Sequence, residues 1–158
     1  MALEFLNADT SDTVFDVFCG IGTISLILAE NVKRVYGIEA SAKAVSDANK
    51  NAAANGFTNT EFIVGAAEDM LPAICDTGIL PDKMILNPPR KGCCYRLLET
   101  IGKIKPERIV YISCDPATLA RDIKIMREFG YSLKKVQPVD IFAFTPHVET
   151  VALLEILY

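Results

Sequence analysis

The stretch Phe15-Asp16-Val17-Phe18-Cys19-Gly20-Ile21-Gly22-Thr23 constrains the fold more than any other in the chain. An apolar run stops at two glycines spaced G-x-G, and an apolar-periodic segment comes next. A strand that turns sharply and re-enters as a helix opens the nucleotide-binding α/β domains, where backbone amides at the turn approach a ligand. The spacing here is G-x-G-T rather than G-x-G-x-x-G. That disfavours a dinucleotide, whose pyrophosphate sits on the helix end, and favours S-adenosylmethionine, which carries none. A glycine turn that serves packing alone is the plain alternative.

Strand-like runs near 13–18, 33–38, 60–65, 83–87 and 108–113 alternate with helical patterns near 22–30, 41–55, 67–75, 93–103 and 116–129. This alternation predicts an α/β fold with a doubly wound parallel sheet. Beyond Gly130 two further strand-like runs, 131–139 and 148–157, have no helix between them and read as an antiparallel pair on the sheet edge. Seven mostly parallel strands ending in an antiparallel hairpin make the Rossmann-like arrangement of class I methyltransferases. A dehydrogenase would continue with crossover units instead.

At 158 residues the chain fits one domain, and we expect 1–158 to be a single methyltransferase domain of a longer protein. It has no apolar run long enough to cross a bilayer and no charged-then-apolar leader, so we expect no membrane association and a cytoplasmic location. Five cysteines, odd in number and without a CxxC pair, argue against a disulfide framework or an iron–sulfur site within this chain and for a reducing compartment, and we expect no metal. The net charge of −4 is awkward for a chain that grips nucleic acid by itself, because phosphate contacts need a basic face. Basic groups gather at Arg90, Lys91 and Arg96, and at Arg121, Lys124 and Arg127; they read either as RNA contacts or as solvated helix faces.

In open α/β sheets ligands sit beyond the carboxyl ends of the strands. At the second such end, Glu39 can accept hydrogen bonds from both ribose hydroxyls or cap the next helix. At the third, Ala67 and Glu68 can offer an amide and a carboxylate to an adenine edge, or Glu68 can serve only the helix dipole. The fourth ends in Asn87-Pro88-Pro89-Arg90, whose prolines fix an extended turn and hold Asn87 toward the cleft. The fifth ends in Ser113-Cys114-Asp115-Pro116, a cysteine in the positive field of a helix N-terminus, which favours the thiolate. Glu149 enters the last strand ahead of an apolar run, where partial burial makes a carboxylate a better base. His147 is the only histidine and reads as a loop residue that orders its neighbours, with a catalytic role the alternative.

Taken together, FDVFCGIGT, YGIEAS, GAAED, NPPRKGC, YISCDPATLARD and VQPVDIF…HVETVALL resemble the RNA (uracil-5-)-methyltransferase family, in particular its 23S ribosomal RNA branch. The resemblance implies that Cys114 adds to uracil C6, that C5 takes the methyl group of S-adenosylmethionine, and that Glu149 removes the C5 proton. It also implies cofactor positions at Phe18, Thr23, Glu39 and Asn87, to which the strand-end reading adds Asp16, Gly20, Gly22, Ala67 and Glu68 as cofactor positions and Pro88, Arg90 and His147 as substrate positions. Asn87 stands where most members have the Asp of D-P-P-R. Members carry RNA-binding domains ahead of this region, which would account for the acidic balance here. A nitrogen-directed methyltransferase built on N-P-P, a cofactor-binding module without catalysis, and transfer RNA as substrate are the alternatives.

Overall fold

In the computed structural model, residues 1–140 and 148–157 are described. Five parallel strands come first: β1 (Thr13–Val17), β2 (Arg34–Glu39), β3 (Thr60–Val64), β4 (Lys83–Leu86) and β5 (Arg108–Ser113). Two antiparallel strands complete the set, β6 (Tyr131–Val139) and β7 (Glu149–Ile156). They form one sheet of order β3-β2-β1-β4-β5-β7-β6. The expected doubly wound sheet with a closing hairpin is present. The final strand, however, is internal: β7 pairs with β5 on one side and β6 on the other, leaving β6 as the edge. Burial agrees with that placement. Six of the eight β7 residues are buried, whereas β6 is mostly exposed, carries Lys134 and Lys135, and breaks register between Leu133 and Lys135. Charge and a bulge on an edge oppose pairing with other chains.

The helices are α1 (Ala2–Leu6), α2 (Thr23–Ala29), α3 (Ala42–Ala54), α4 (Ala67–Cys75), α5 (Tyr95–Ile104) and α6 (Pro116–Glu128). Strand alternation sorts the core into two layers. Phe15, Val17, Met84, Leu86, Ile109 and Tyr111 face Leu71, Leu97, Leu98, Ile101, Leu119 and Met126 of α4, α5 and α6. Val14, Ile85, Val110, Val151 and Leu153 face Leu6 of α1 and Leu28 of α2. Complete burial of Leu97, Leu98 and Ile101 stabilises by about 2 kcal/mol per side chain.

Two elements differ from the sequence pattern. Residues 2–6, to which the pattern assigns no element, form α1, which is capped by Asn7 in the left-handed conformation. One turn with no side-chain cap carries no sequence signal; it is held by packing and by the buried Lys83, whose Nζ donates to Asn7 O at 2.8 Å and pairs with Asp12 at 2.6 Å. The helix expected near 93–103 starts later, at Tyr95, because Cys94, extended at φ −76 and ψ 156, is its N-cap.

Candidate active site

Strand order reverses between β1 and β4, so their carboxyl ends diverge and leave a crevice. The crevice holds a cavity of about 450 Å3 walled by the segments just beyond β1, β2, β3 and β4, including Phe18, Glu39, Ala67, Glu68, Asn87 and Lys91. Phe18 lies at φ 69, a left-handed conformation that costs a bulky residue about 1 kcal/mol or more. Its N–H donates to Ile38 O at 2.8 Å and that of Cys19 to the same oxygen at 3.1 Å, which secures the turn. Gly22 lies at φ 83, where a Cβ would be 2.9 Å from the Phe62 ring. A side chain there would both strain the backbone and push α2 from the sheet.

Both Glu39 oxygens are pinned: Oε2 accepts the Gly20 N–H at 3.2 Å and Oε1 the Ser41 N–H at 2.9 Å. Ser41, not Glu39, caps α3, its hydroxyl accepting the Ala44 N–H at 3.2 Å. The capping alternative for Glu39 is therefore taken by its neighbour. The carboxylate is left preoriented on the cavity wall with lone pairs still open. Gly20, Gly22 and Thr23 sit beside the cavity rather than in its wall. Asp16 is fully buried beneath α2, where Oδ2 accepts the Ser25 hydroxyl at 2.6 Å and Oδ1 has no partner among the described residues. Burial pushes its carboxyl up to about 6, the Ser25 hydrogen bond opposing.

A second cavity, about 320 Å3, opens on the other side of β4. Its wall is apolar, from Ile24, Ile112, Val139 and Val151, except for Asn87 and Glu149. Glu149 Oε2 is buried with no hydrogen-bond partner among the described residues. Asn87 belongs to both walls, so it stands between the two cavities. The prolines after it are split: Pro88 is buried and Pro89 lines the first cavity. Arg90 is exposed, and its carbonyl accepts the Thr118 hydroxyl at 3.2 Å. His147 lies outside the described residues.

Cys114 occupies the turn between β5 and α6, half-buried. Ser113 Oγ accepts the Asp115 N–H at 3.1 Å and donates to Asp115 O at 2.9 Å, closing the turn around the thiol. Asp115 then caps α6 through the N–H groups of Ala117 and Thr118, with Pro116 in the first turn. The other thiols differ. Burial raises the Cys19 thiol strongly, that of Cys93 to about 12 and that of Cys75 to about 11, so these three stay protonated at neutral pH. Cys94 is exposed and lines the first cavity.

Arg121, grouped in the sequence with basic surface residues, is half-exposed but also tied inward: it donates through Nε to Asp122 Oδ1 at 2.8 Å and through Nη2 to the carbonyls of Lys91 and Cys93 at 2.9 and 3.2 Å. Lys91, Gly92 and Cys94 of the first cavity were missed. Their signal is the position directly after Pro88-Pro89, where a chain fixed by proline must run along the cavity mouth.

The family model described as tRNA (uracil-5-)-methyltransferase matches residues 1–156. An uncharacterized RNA methyltransferase of Halalkalibacterium halodurans is 53% identical over 155 residues, covering 98% of this chain and 34% of the relative. One from Clostridium acetobutylicum is 49% identical over 154 residues, again 98% and 34%. The chain thus spans about a third of the length of these curated relatives. Among solved structures, the Pyrococcus abyssi tRNA (uracil-54, C5)-methyltransferase in complex with S-adenosyl-L-homocysteine superposes with a TM-score of 0.81 at 30% identity, covering 97% of this chain and 36% of that one. An rRNA methylase of Streptococcus thermophilus has a TM-score of 0.79 at 20% identity, over 100% of this chain and 95% of that one, a likeness of fold.

Proposed function

Because the chain belongs to the tRNA (uracil-5-)-methyltransferase family, we propose that it is the cofactor-binding and catalytic domain of an enzyme that forms 5-methyluridine in RNA. The observation that carries this reading is the pair of cavities sharing Asn87 as their wall: one holds the pinned Glu39 carboxylate, the other a Glu149 oxygen without a partner among the described residues. The first lies within the range of small-ligand sites, about 300–1,000 Å3. Its polar and apolar groups suit an adenosyl ligand, with Glu39 on the ribose hydroxyls, Phe18 and Leu97 against apolar parts, and Ala67 and Glu68 at the base edge. S-Adenosylmethionine bound there would supply an electrophilic methyl group next to Asn87.

The second cavity suits a flat, weakly polar ring. In this reading Cys114 Sγ adds to C6 of a uracil, which makes C5 an enolate carbon able to take up the methyl group. Glu149 then removes the C5 proton, and the thiolate leaves as the C5–C6 double bond re-forms. The net charge of −4, and relatives about three times as long as the matched region, support RNA being gripped mainly by segments outside these residues.

Ribosomal 23S RNA is the substrate we favour, on the likeness of the C-terminal segment to that branch. Transfer RNA is the second reading, favoured by the likeness to the Pyrococcus abyssi enzyme. An RNA carrying 5-fluorouridine tests the chemistry, because it has no C5 proton to lose and should trap the covalent complex after methyl transfer. Peptide mapping of that complex in the full-length protein should place the link on Cys114; a link on Cys94 or any other residue would contradict the assignment.

A further inference from the structure

Asp122 is 0% exposed, a carboxylate in the apolar layer between α5, α6 and the sheet, and the reaction just outlined gives it no role. It is fully used. Oδ2 accepts the Tyr111 hydroxyl at 2.7 Å and the Cys93 N–H at 2.8 Å, while Oδ1 accepts from Arg121. The contacts reach further along the same helix face, since residues 118, 121 and 122 are neighbours at i, i+3 and i+4. The Thr118 hydroxyl donates to Arg90 O, and Arg121 Nη2 to Lys91 O and Cys93 O. The loop from Arg90 to Cys93 is therefore hydrogen-bonded, main chain to side chain, along one face of α6. Gly92, at φ 73, makes the approach possible: a Cβ there would lie 2.6 Å from Asp122 Oδ2 and 2.7 Å from Arg121 Nη2.

The two things this clamp joins are the two halves of the site. Pro89, Lys91 and Gly92 form a wall of the first cavity, and α6 is capped by Asp115, the residue after Cys114. We infer that Asp122, with Arg121 and Thr118, is a positioning set that fixes the cofactor-side loop against the helix carrying the nucleophile's turn, so that ligand in the first cavity steadies α6. The inference rests on the cofactor reading of that cavity. A buried carboxylate with its charge balanced by one guanidinium and two neutral donors holds such a distance firmly, because each broken bond leaves a buried charge short of a partner.

The test is hydrogen exchange with and without S-adenosylhomocysteine on the chain itself, beside calorimetric titration. In the parent, ligand should slow exchange at 39–41, 66–68 and 90–93, and also at 117–122, which the cavity does not touch. Arg121→Met, at a half-exposed side chain, should lower affinity about tenfold and abolish the protection at 117–122 while keeping that at 39–41. Arg121→Lys, which still donates but without the fork, should recover part of both effects. Thr118→Val, close to the same size, should act in the same direction more weakly and serves if Arg121→Met folds poorly. A variant that loses thermal stability yet keeps parental affinity and α6 protection would overturn the inference and leave the clamp a packing feature. A parent showing no protection by ligand anywhere would remove the cofactor reading itself, and the inference with it.

Discussion

Ser113 on β5 lies directly opposite Thr150 on β7, the last pair of the β5–β7 register, so Cys114 and Glu149 each adjoin that pair in sequence at the same end of the sheet. Facing residues of antiparallel strands have Cβ atoms about 5 Å apart. The register is anchored at its other end, where Arg108 faces Glu155 and Nη2 meets Oε1 at 3.1 Å. A slip of one residue would turn Glu149 to the opposite face of the sheet. The antiparallel register thus brings residue 149 to the same end of the sheet as residue 114, the two residues we propose as base and nucleophile.

Glu39 should set cofactor affinity. We expect Glu39→Ala to weaken S-adenosylhomocysteine binding by about 1–3 kcal/mol, the scale of losing hydrogen bonds to a charged group. Calorimetry would detect a change of that size. Unchanged affinity would mean that the carboxylate serves only the Gly20 and Ser41 amides.

The strand ends were legible in the sequence because parallel strands are apolar runs punctuated by turn residues, and the residues just after each run must lie on one edge of the sheet. Glu39, Asn87 and Cys114 were placed by that rule alone. Asp16 shows its limit: the same rule set it among the cofactor positions, but alternation along β1 turns it under α2 toward Ser25. The Arg121–Asp122 contacts with residues 90–93 were not legible, since 28 to 30 residues separate the partners of the Arg121–loop bonds and a charged pair on a helix reads as solvated surface. Neither was the insertion of β7 between β5 and β6, because two consecutive strand patterns look the same in either order.

Phe18 should trade stability against binding. Glycine adopts its φ of 69 without the steric cost, so Phe18→Gly should lose less stability than Phe18→Ala, by about 1 kcal/mol. Both should bind S-adenosylhomocysteine more weakly, having lost the same wall of the cavity. Equal melting temperatures for the two variants would contradict a strained turn.

Asp16 should make stability depend on pH. Its carboxyl titrates near 6 when folded against 3.8 as the ordinary value, so between those values the folded chain holds a proton that the unfolded chain has released. Stability contributed by that proton is present at low pH and lost as pH rises through 6. Relative to Asp16→Asn, the parent should lose about 2–3 kcal/mol between pH 4 and 7. A difference that stays flat across this range, in urea unfolding at each pH, would place the carboxyl in contact with water.

The Lys83–Asp12 pair, at the end of the sheet away from both cavities, gives a contrast. Both side chains are almost fully buried, at 7% and 10% exposure. Lys83→Met should cost about 3–5 kcal/mol by stranding Asp12, yet leave ligand affinity of the folded variant unchanged. A fall in affinity matching the fall in stability would show the cavities to be coupled to the whole sheet rather than to its carboxyl edge.

Cys114 and Glu149 should act in sequence, nucleophile first and base last. Glu149→Gln in the full-length protein keeps the size of the side chain but cannot take the C5 proton, so the methylated adduct has no route to expel the thiol. With ordinary uridine RNA and S-adenosylmethionine, this variant should accumulate a covalent protein–RNA complex on a denaturing gel, and Glu149→Gln combined with Cys114→Ala should give none. Turnover by Glu149→Gln at close to the parental rate, with no complex on the gel, would contradict the account.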